Sequence, residues 1–146
     1  MALFILKKEA KDVKDYINAV IAAIGTGLTY IFGGWDTVIL VLVVFMALDY
    51  LTGVIAAIAN KELNSNVGFK GILKKFTILI VLIVAVLLDR LLNSGTWVFR
   101  TLVAYFYIAN EAISLLENSA RMGLPVPQKL LDILAQLKKK GEGEEA

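Results

Sequence analysis

The amino-acid sequence predicts an all-α integral membrane protein: about four transmembrane helices, followed by a short amphipathic helix on the cytoplasmic surface. Three observations carry that prediction. Of the 146 residues, 58% are hydrophobic and the mean hydropathy is +0.73, far above that of a chain that must present a water-facing surface. Only 19% are charged, and these gather at the N-terminus, in one middle segment and at the C-terminus. The stretches between them are long enough for helices to cross the hydrocarbon layer, which takes about 20 residues.

Residues 1–15 form an N-terminal cytoplasmic segment in which apolar and charged side chains alternate in amphipathic fashion. Residues 16–35 carry no formal charge and lie between Asp15 and Asp36; they are span one. The apolar core of a secretory signal is shorter and ends in an A-x-A-like site, so this run reads as a span and not as a leader. Residues 37–60 contain VILVLVVFMAL, the single charge Asp49, and then YLTGVIAAIAN, which makes span two. Residues 76–92 are apolar on every face through Leu88, where an amphipathic soluble helix shows a polar position every three or four residues; this is span three. After the turn signal Asn93-Ser94-Gly95, residues 97–116 form span four, rich in aromatics, interrupted by Arg100 and Glu111, and the least lipid-like of the set. The transmembrane domain thus runs over residues 16–116 with a loop at 61–75. An alternative count has three spans and lays the first segment in the interface.

Beyond the spans, residues 117–140 form a cytoplasmic segment. Pro125 and Pro127 punctuate its start, and Leu130, Leu131, Ile133, Leu134 and Leu137 recur at helical spacing opposite Lys129, Asp132, Gln136 and Lys138. Residues 141–146 are an acidic tail. The two amphipathic segments are read as lodging on the membrane surface, with a partner-helix contact as the alternative.

Orientation follows from the basic residues. Lys7, Lys8, Lys11 and Lys14 precede span one, Lys61, Lys70, Lys74 and Lys75 separate spans two and three, and Arg121, Lys129 and Lys138 to Lys140 follow span four. The turns at 33–36 and 93–96 contain no Lys or Arg. The positive-inside rule therefore puts both termini of a four-span chain in the cytoplasm. A three-span chain would leave four lysines on the wrong side.

Composition also removes chemistry. Without cysteine or histidine there is no thiolate nucleophile, no Cys/His zinc site and no His-based acid/base pair. No spacing of acids suggests a metal, a cofactor or a named reaction, so the chain is read as a non-enzyme. A net charge of +2 does not suggest nucleic acid.

The candidate functional residues are polar groups inside the spans, where an ionisable side chain is costly and marks function by default. Asp49 lies midway along span two and shares its face with Gly53 and Ala57. Ala19, Ala23 and Gly27 form a second small-residue stripe on span one, so close helix packing is common to both. Asp49 is read either as an acid turned to a lumen or as one simply protonated or hydrogen-bonded within a single monomer. Asp89 and Arg100 lie near the outer ends of spans three and four, in position to pair. Asn110 and Glu111 lie in the inner half of span four, with Lys74 and Lys75 in reach of Glu111. The middle segment NSNVGFKGILKK holds Ser65, Gly68 and Gly71 ahead of Lys74 and Lys75, and is read as a turn before a helix.

In order, Asp49-x-x-Thr52-Gly53, Ser65-x-x-Gly68-x-x-Gly71-x-x-Lys74-Lys75, Asp89, Arg100, Asn110-Glu111, Ser114, Glu117-Asn118 and Gly123-Leu124-Pro125-Val126-Pro127 resemble the pattern of the toxin-secretion/phage-lysis holin family. The likeness covers residues 40–137 and departs at Asn66 and Val67. It implies a protein that accumulates in the bacterial cytoplasmic membrane, associates with itself among the lipids, and opens lesions that release an endolysin or a large toxin. Two other classes remain: a small channel or transporter subunit using Asp49 as an ion site, and a membrane scaffold regulating lysis. No internal repeat or helix-breaking proline supports a transporter.

Overall fold

The computed structural model describes residues 1–93, 95–130 and 132, without the side chains of residues 2, 3, 5 and 67. Its elements are α1 (Ala2–Phe32), α2 (Thr37–Ala59), α3 (Ser65–Leu92) and α4 (Val98–Arg121). Each helix is followed closely by a residue in the left-handed region: Gly33, Lys61, Asn93 and Gly123, at φ 73°, 57°, 47° and 81°. After α1, α2 and α4 the chain folds back so that two amides reach the last carbonyls. Gly34 N–H donates to Thr29 (2.9 Å) and Gly33 N–H to Tyr30 (3.3 Å), and the same pair of bonds recurs at Glu62 and Lys61 and at Leu124 and Gly123. Turn chemistry therefore sets the helix ends, and the spans are joined by short connections.

The chain divides into two compact units, Met1–Asp36 and Thr37–Ala146. In the first, α1 is a single rod of 31 residues. Residue 15, where the sequence divides an amphipathic lead-in from span one, lies within this helix: no glycine or proline interrupts the chain there, and the charges sit at helical i, i+4 spacing. The hydroxyls of Thr26 and Thr29 donate to the carbonyls of Ala22 and Gly25, each at 2.8 Å, which satisfies them without water. Ala19 and Ala23 are exposed, and a Cβ at Gly27 would meet nothing within 4 Å.

In the second unit, α2, α3 and α4 run up, down and up. Asn60 donates to the Arg121 carbonyl (3.3 Å), so α2 and α4 end together; Asp89 near the end of α3 bonds the start of α4. α4 packs on both of the others, which meet each other little. Each helix buries a heptad-like seam: Ile39, Leu42, Met46, Asp49 and Ala56 on α2; Ile78, Leu82, Ala85 and Asp89 on α3; Arg100, Ala104, Glu111 and Asn118 on α4. The middle of the seam is apolar. Both ends are charged.

α4 is inside-out. Its inward residues Arg100, Glu111 and Asn118 are 2%, 0% and 8% exposed, while Leu102, Tyr105 and Phe106 on the opposite face are 65%, 58% and 65% exposed. A helix in water turns its apolar stripe to the core; the reverse arrangement is stable where the surroundings are as apolar as leucine. Among the described residues, three helices are long and apolar enough to cross a membrane: Leu6–Phe32, Thr37–Ala59 and Gly68–Leu92. The fourth predicted span, α4, has 24 residues but falls outside that group. The shortfall thus rests on α4 and not on α1, the helix that the alternative count left in the interface.

Two further expectations change. The segment at 65–75 is not a loop: α3 begins at Ser65, capped by the Asn64 side chain, which accepts from Asn66 N–H at 3.0 Å. The loop is only the stretch from Asn60 to this cap, and α3 is 28 residues long rather than a short span starting at Phe76. Of the C-terminal amphipathic helix, Gln128 to Leu130 are helical and Gln128 donates to Asp132 (3.1 Å); residues 131 and 133–140 and the acidic tail lie outside the described residues.

The seam predicts opposite outcomes on the two faces of the bundle. Leu82→Ala, inside, lowers stability by about 2–5 kcal/mol, and Leu102→Ala, outside, changes it by less than about 0.5 kcal/mol, measured by unfolding in mixed micelles.

Candidate functional site

Asp49, Lys75 and Glu111 meet in the interior of the second unit, one from each helix. The Lys75 ammonium donates to Asp49 Oδ2 and to Glu111 Oε2. Each of the three stands ten residues from the end of its helix, at Ala59, Ser65 and Arg121 respectively, so they share one level about 15 Å in. Lone charges at such a depth cost about 2.5–3.5 kcal/mol each on insertion scales, which is why the acids and the cation are found together. Glu111 is fully buried and its Oε1 has no hydrogen-bond partner.

Asn118 completes the group. Its Nδ2 donates to Asp49 Oδ1 (3.0 Å), to the Asp49 carbonyl (3.2 Å) and to Thr52 Oγ1 (3.2 Å). Gly53 lies at this contact: a Cβ there would stand 3.4 Å from Asn118 Nδ2, in van der Waals contact with it. The small-residue face of α2 therefore serves contact with α4, with Ala57 buried beside it. On α3, Gly68 and Gly71 face Tyr50, whose ring would lie 3.5 Å from a Cβ at Gly71.

Above the trio a cavity of about 410 Å³ opens between the helix ends, lined among others by Tyr50, Gly68, Gly71, Lys74, Ser114 and Arg121. Asp49 and Lys75 form part of its wall. At its rim Arg121 pairs with Glu62 at 2.7 Å. Lys61, Lys70 and Lys74 are exposed at this same basic end.

At the opposite end, Asp89 accepts the backbone N–H of Phe99 (3.0 Å) and of Arg100 (2.8 Å). These are free amides in the first turn of α4, whose own N-cap residue, Trp97, supplies no side-chain bond. Asp89 thus caps the next helix from outside, where its charge also suits the positive end of the helix dipole. The guanidinium groups of Arg100 and Arg90 lie 5.7 and 6.0 Å from the Trp97 ring centre.

Of the sequence candidates, the structure brings Asp49, Lys75, Glu111 and Gly53 into one site and Asp89 and Arg100 into a second. Lys74 is exposed on the cavity wall, Ser65 is the exposed first residue of α3, and Asn110 is half-buried one position off the seam. Sequence reasoning did not connect Asn118 to Asp49, although the seven-residue spacing Ala104, Glu111, Asn118 marked it. It placed Lys75 in a loop, where a helix continued from Ser65 puts Gly68, Gly71 and Lys75 on one face.

A bundle with charges in its interior, an apolar exterior and an open cavity at one end defines a helical membrane protein. The chain belongs to the bacteriophage holin family, whose sequence profile matches residues 26–139. It is 56% identical over 130 residues to an uncharacterized 14.9 kDa protein encoded in the nagH 3′ region of Clostridium perfringens, covering 89% of this chain and 98% of the relative. An uncharacterized protein of Listeria monocytogenes is 42% identical (86% and 89% covered), and one of Bacillus subtilis 37% identical (77% and 79%). No solved structure matches the chain.

Two substitutions test the polar layers separately. Asn118→Ala leaves buried groups on Asp49 and Thr52 without their donor and costs about 1–3 kcal/mol. Asp89→Ala removes the cap of α4 and costs about 0.5–2 kcal/mol, both read from unfolding in micelles.

Proposed function

We propose that the chain is a holin: four helices cross the bacterial cytoplasmic membrane with both termini inside, copies accumulate and associate, and the assembly opens lesions that pass an endolysin or a large toxin. The observation that carries this reading is the trio of charges buried at one level of an inside-out bundle. A permanent structural core at that depth is more simply built from leucine, and replacing a buried ion pair by apolar residues is often neutral or stabilising. Acids kept there at such expense suit a second arrangement in which they meet water. In a large assembly, Asp49 and Glu111 turn toward a lumen while the apolar outer face of α4 stays in lipid or against a neighbour. Assembly is the activity, and no bond is made or broken.

The basic end supports the orientation. Lys61, Lys70, Lys74 and Arg121 collect where α2 and α4 end and α3 begins, as expected of the side that faces the cytoplasm. A charge moved through the membrane field is worth about 2.3 kcal/mol per 100 mV, so one acid per subunit gives a large assembly a means of sensing collapse of the potential.

Induced in a bacterium, the chain is expected to release a folded cytoplasmic enzyme abruptly after a delay. A leak of ions alone would instead make it a channel subunit, and no leak a scaffold. Asp49→Asn is expected to shift the time of release and blunt triggering by a depolarising agent; triggering that is unchanged would remove Asp49 as the sensor.

A further inference from the structure

One cation serves two carboxylates. Lys75 is the only positive side chain bonded to Asp49 or Glu111 among the described residues. With all three ionised the group has one negative charge in excess, and the buried Glu111 Oε1 has no partner in reserve. The two acids belong to α2 and α4, the helices that pack most closely, so the ammonium on α3 ties all three together.

Lys75 also has a way out. Its side chain is 14% exposed against 0% for Glu111, and it forms part of the cavity wall. One and two turns nearer the basic end, the same face of α3 carries Gly71 and Gly68, which also line the cavity. The cavity gives a long flexible stem room to move toward its mouth, beside the Tyr50 ring that lies against the two glycines. On the other side of the trio the seam is sealed by Leu42, Ile78, Leu82 and Val86, all at most 2% exposed.

Resting on the pore reading above, we infer that Lys75 is the latch of the closed monomer. Seated, it masks Asp49 and Glu111 and holds α2, α3 and α4 shut over the apolar seam. Withdrawn through the cavity to its mouth, it leaves two carboxylates side by side in a medium of low dielectric. Their repulsion and their need for water part the seam and turn both acids to the lumen. The latch assigns the timing of opening to Lys75, and the hydration of the open form to the two acids.

The chain has no cysteine, so a Val86→Cys substitution reports on the seam by its reaction with a membrane-impermeant maleimide. In inverted vesicles holding the full chain, labelling at position 86 should be slow with Lys75 in place and rise several-fold with Lys75→Met. Adding Asp49→Asn and Glu111→Gln to Lys75→Met should return it to the slow level. Should Lys75→Met fail to reach the membrane, the neutral triple variant carries the test alone. It is expected to stay unlabelled at densities where the unaltered trio becomes labelled and releases enzyme. Labelling of the triple variant as fast as that of the unaltered trio would overturn the latch. So would Lys75→Met with unchanged labelling and unchanged release time. Labelling that follows the latch without any enzyme release would overturn the pore reading and leave the latch standing.

Discussion

An ammonium held between two carboxylates, inside a bundle whose outside is hydrocarbon, is the contact on which the second unit depends. Lys75 cannot sit at its level of α3 without a counter-charge, nor can Asp49 on α2 or Glu111 on α4. Their meeting fixes the rotation of all three helices. Once those rotations are set, Asn118 falls opposite Asp49, Gly53 lies against Asn118, and the glycines of α3 face Tyr50. Apolar contact alone would not select this arrangement, because lipid offers leucine and valine the same surroundings as a neighbouring helix does.

The opposite end of the bundle solves a different problem. The first amides of α4 lack partners in their own helix, and in an apolar medium an unsatisfied backbone group costs several kcal/mol. Asp89 supplies both bonds from the preceding helix, locking the hairpin of α3 and α4 at a fixed spacing. The bundle is thus pinned at one end by a cap with ordinary helix-terminus geometry and held at the other level by a charged group beside an open cavity. Function is better placed at the second, where a side chain has room to move.

Much of this was legible beforehand. The apolar runs, the turns at Gly33 and Asn93, and the few ionisable residues within the runs all follow from composition and spacing. The start of α3 was harder to read, because Asn64 to Gly71 is rich in turn-forming residues. The glycines that suggest a loop lie within the helix, facing Tyr50 of the neighbouring helix. Asp89 and Arg100 were in position to pair, and the Asp89 carboxylate takes the amides of Phe99 and Arg100; a helix end exerts no signal in the sequence of the helix before it. The polarity of α4 likewise reads as a weaker span until its partners are known.

The sequence by itself determined that the chain is helical, that it belongs in a bilayer, and which few ionisable residues lie within it. Those properties follow from the cost of exposing backbone and apolar side chains, which each segment meets alone. Only the tertiary structure decided which charges meet, that Asn118 joins them, and that a cavity leads to Lys75. A charge in a span needs a partner, but the period of one helix cannot say which face of another will supply it.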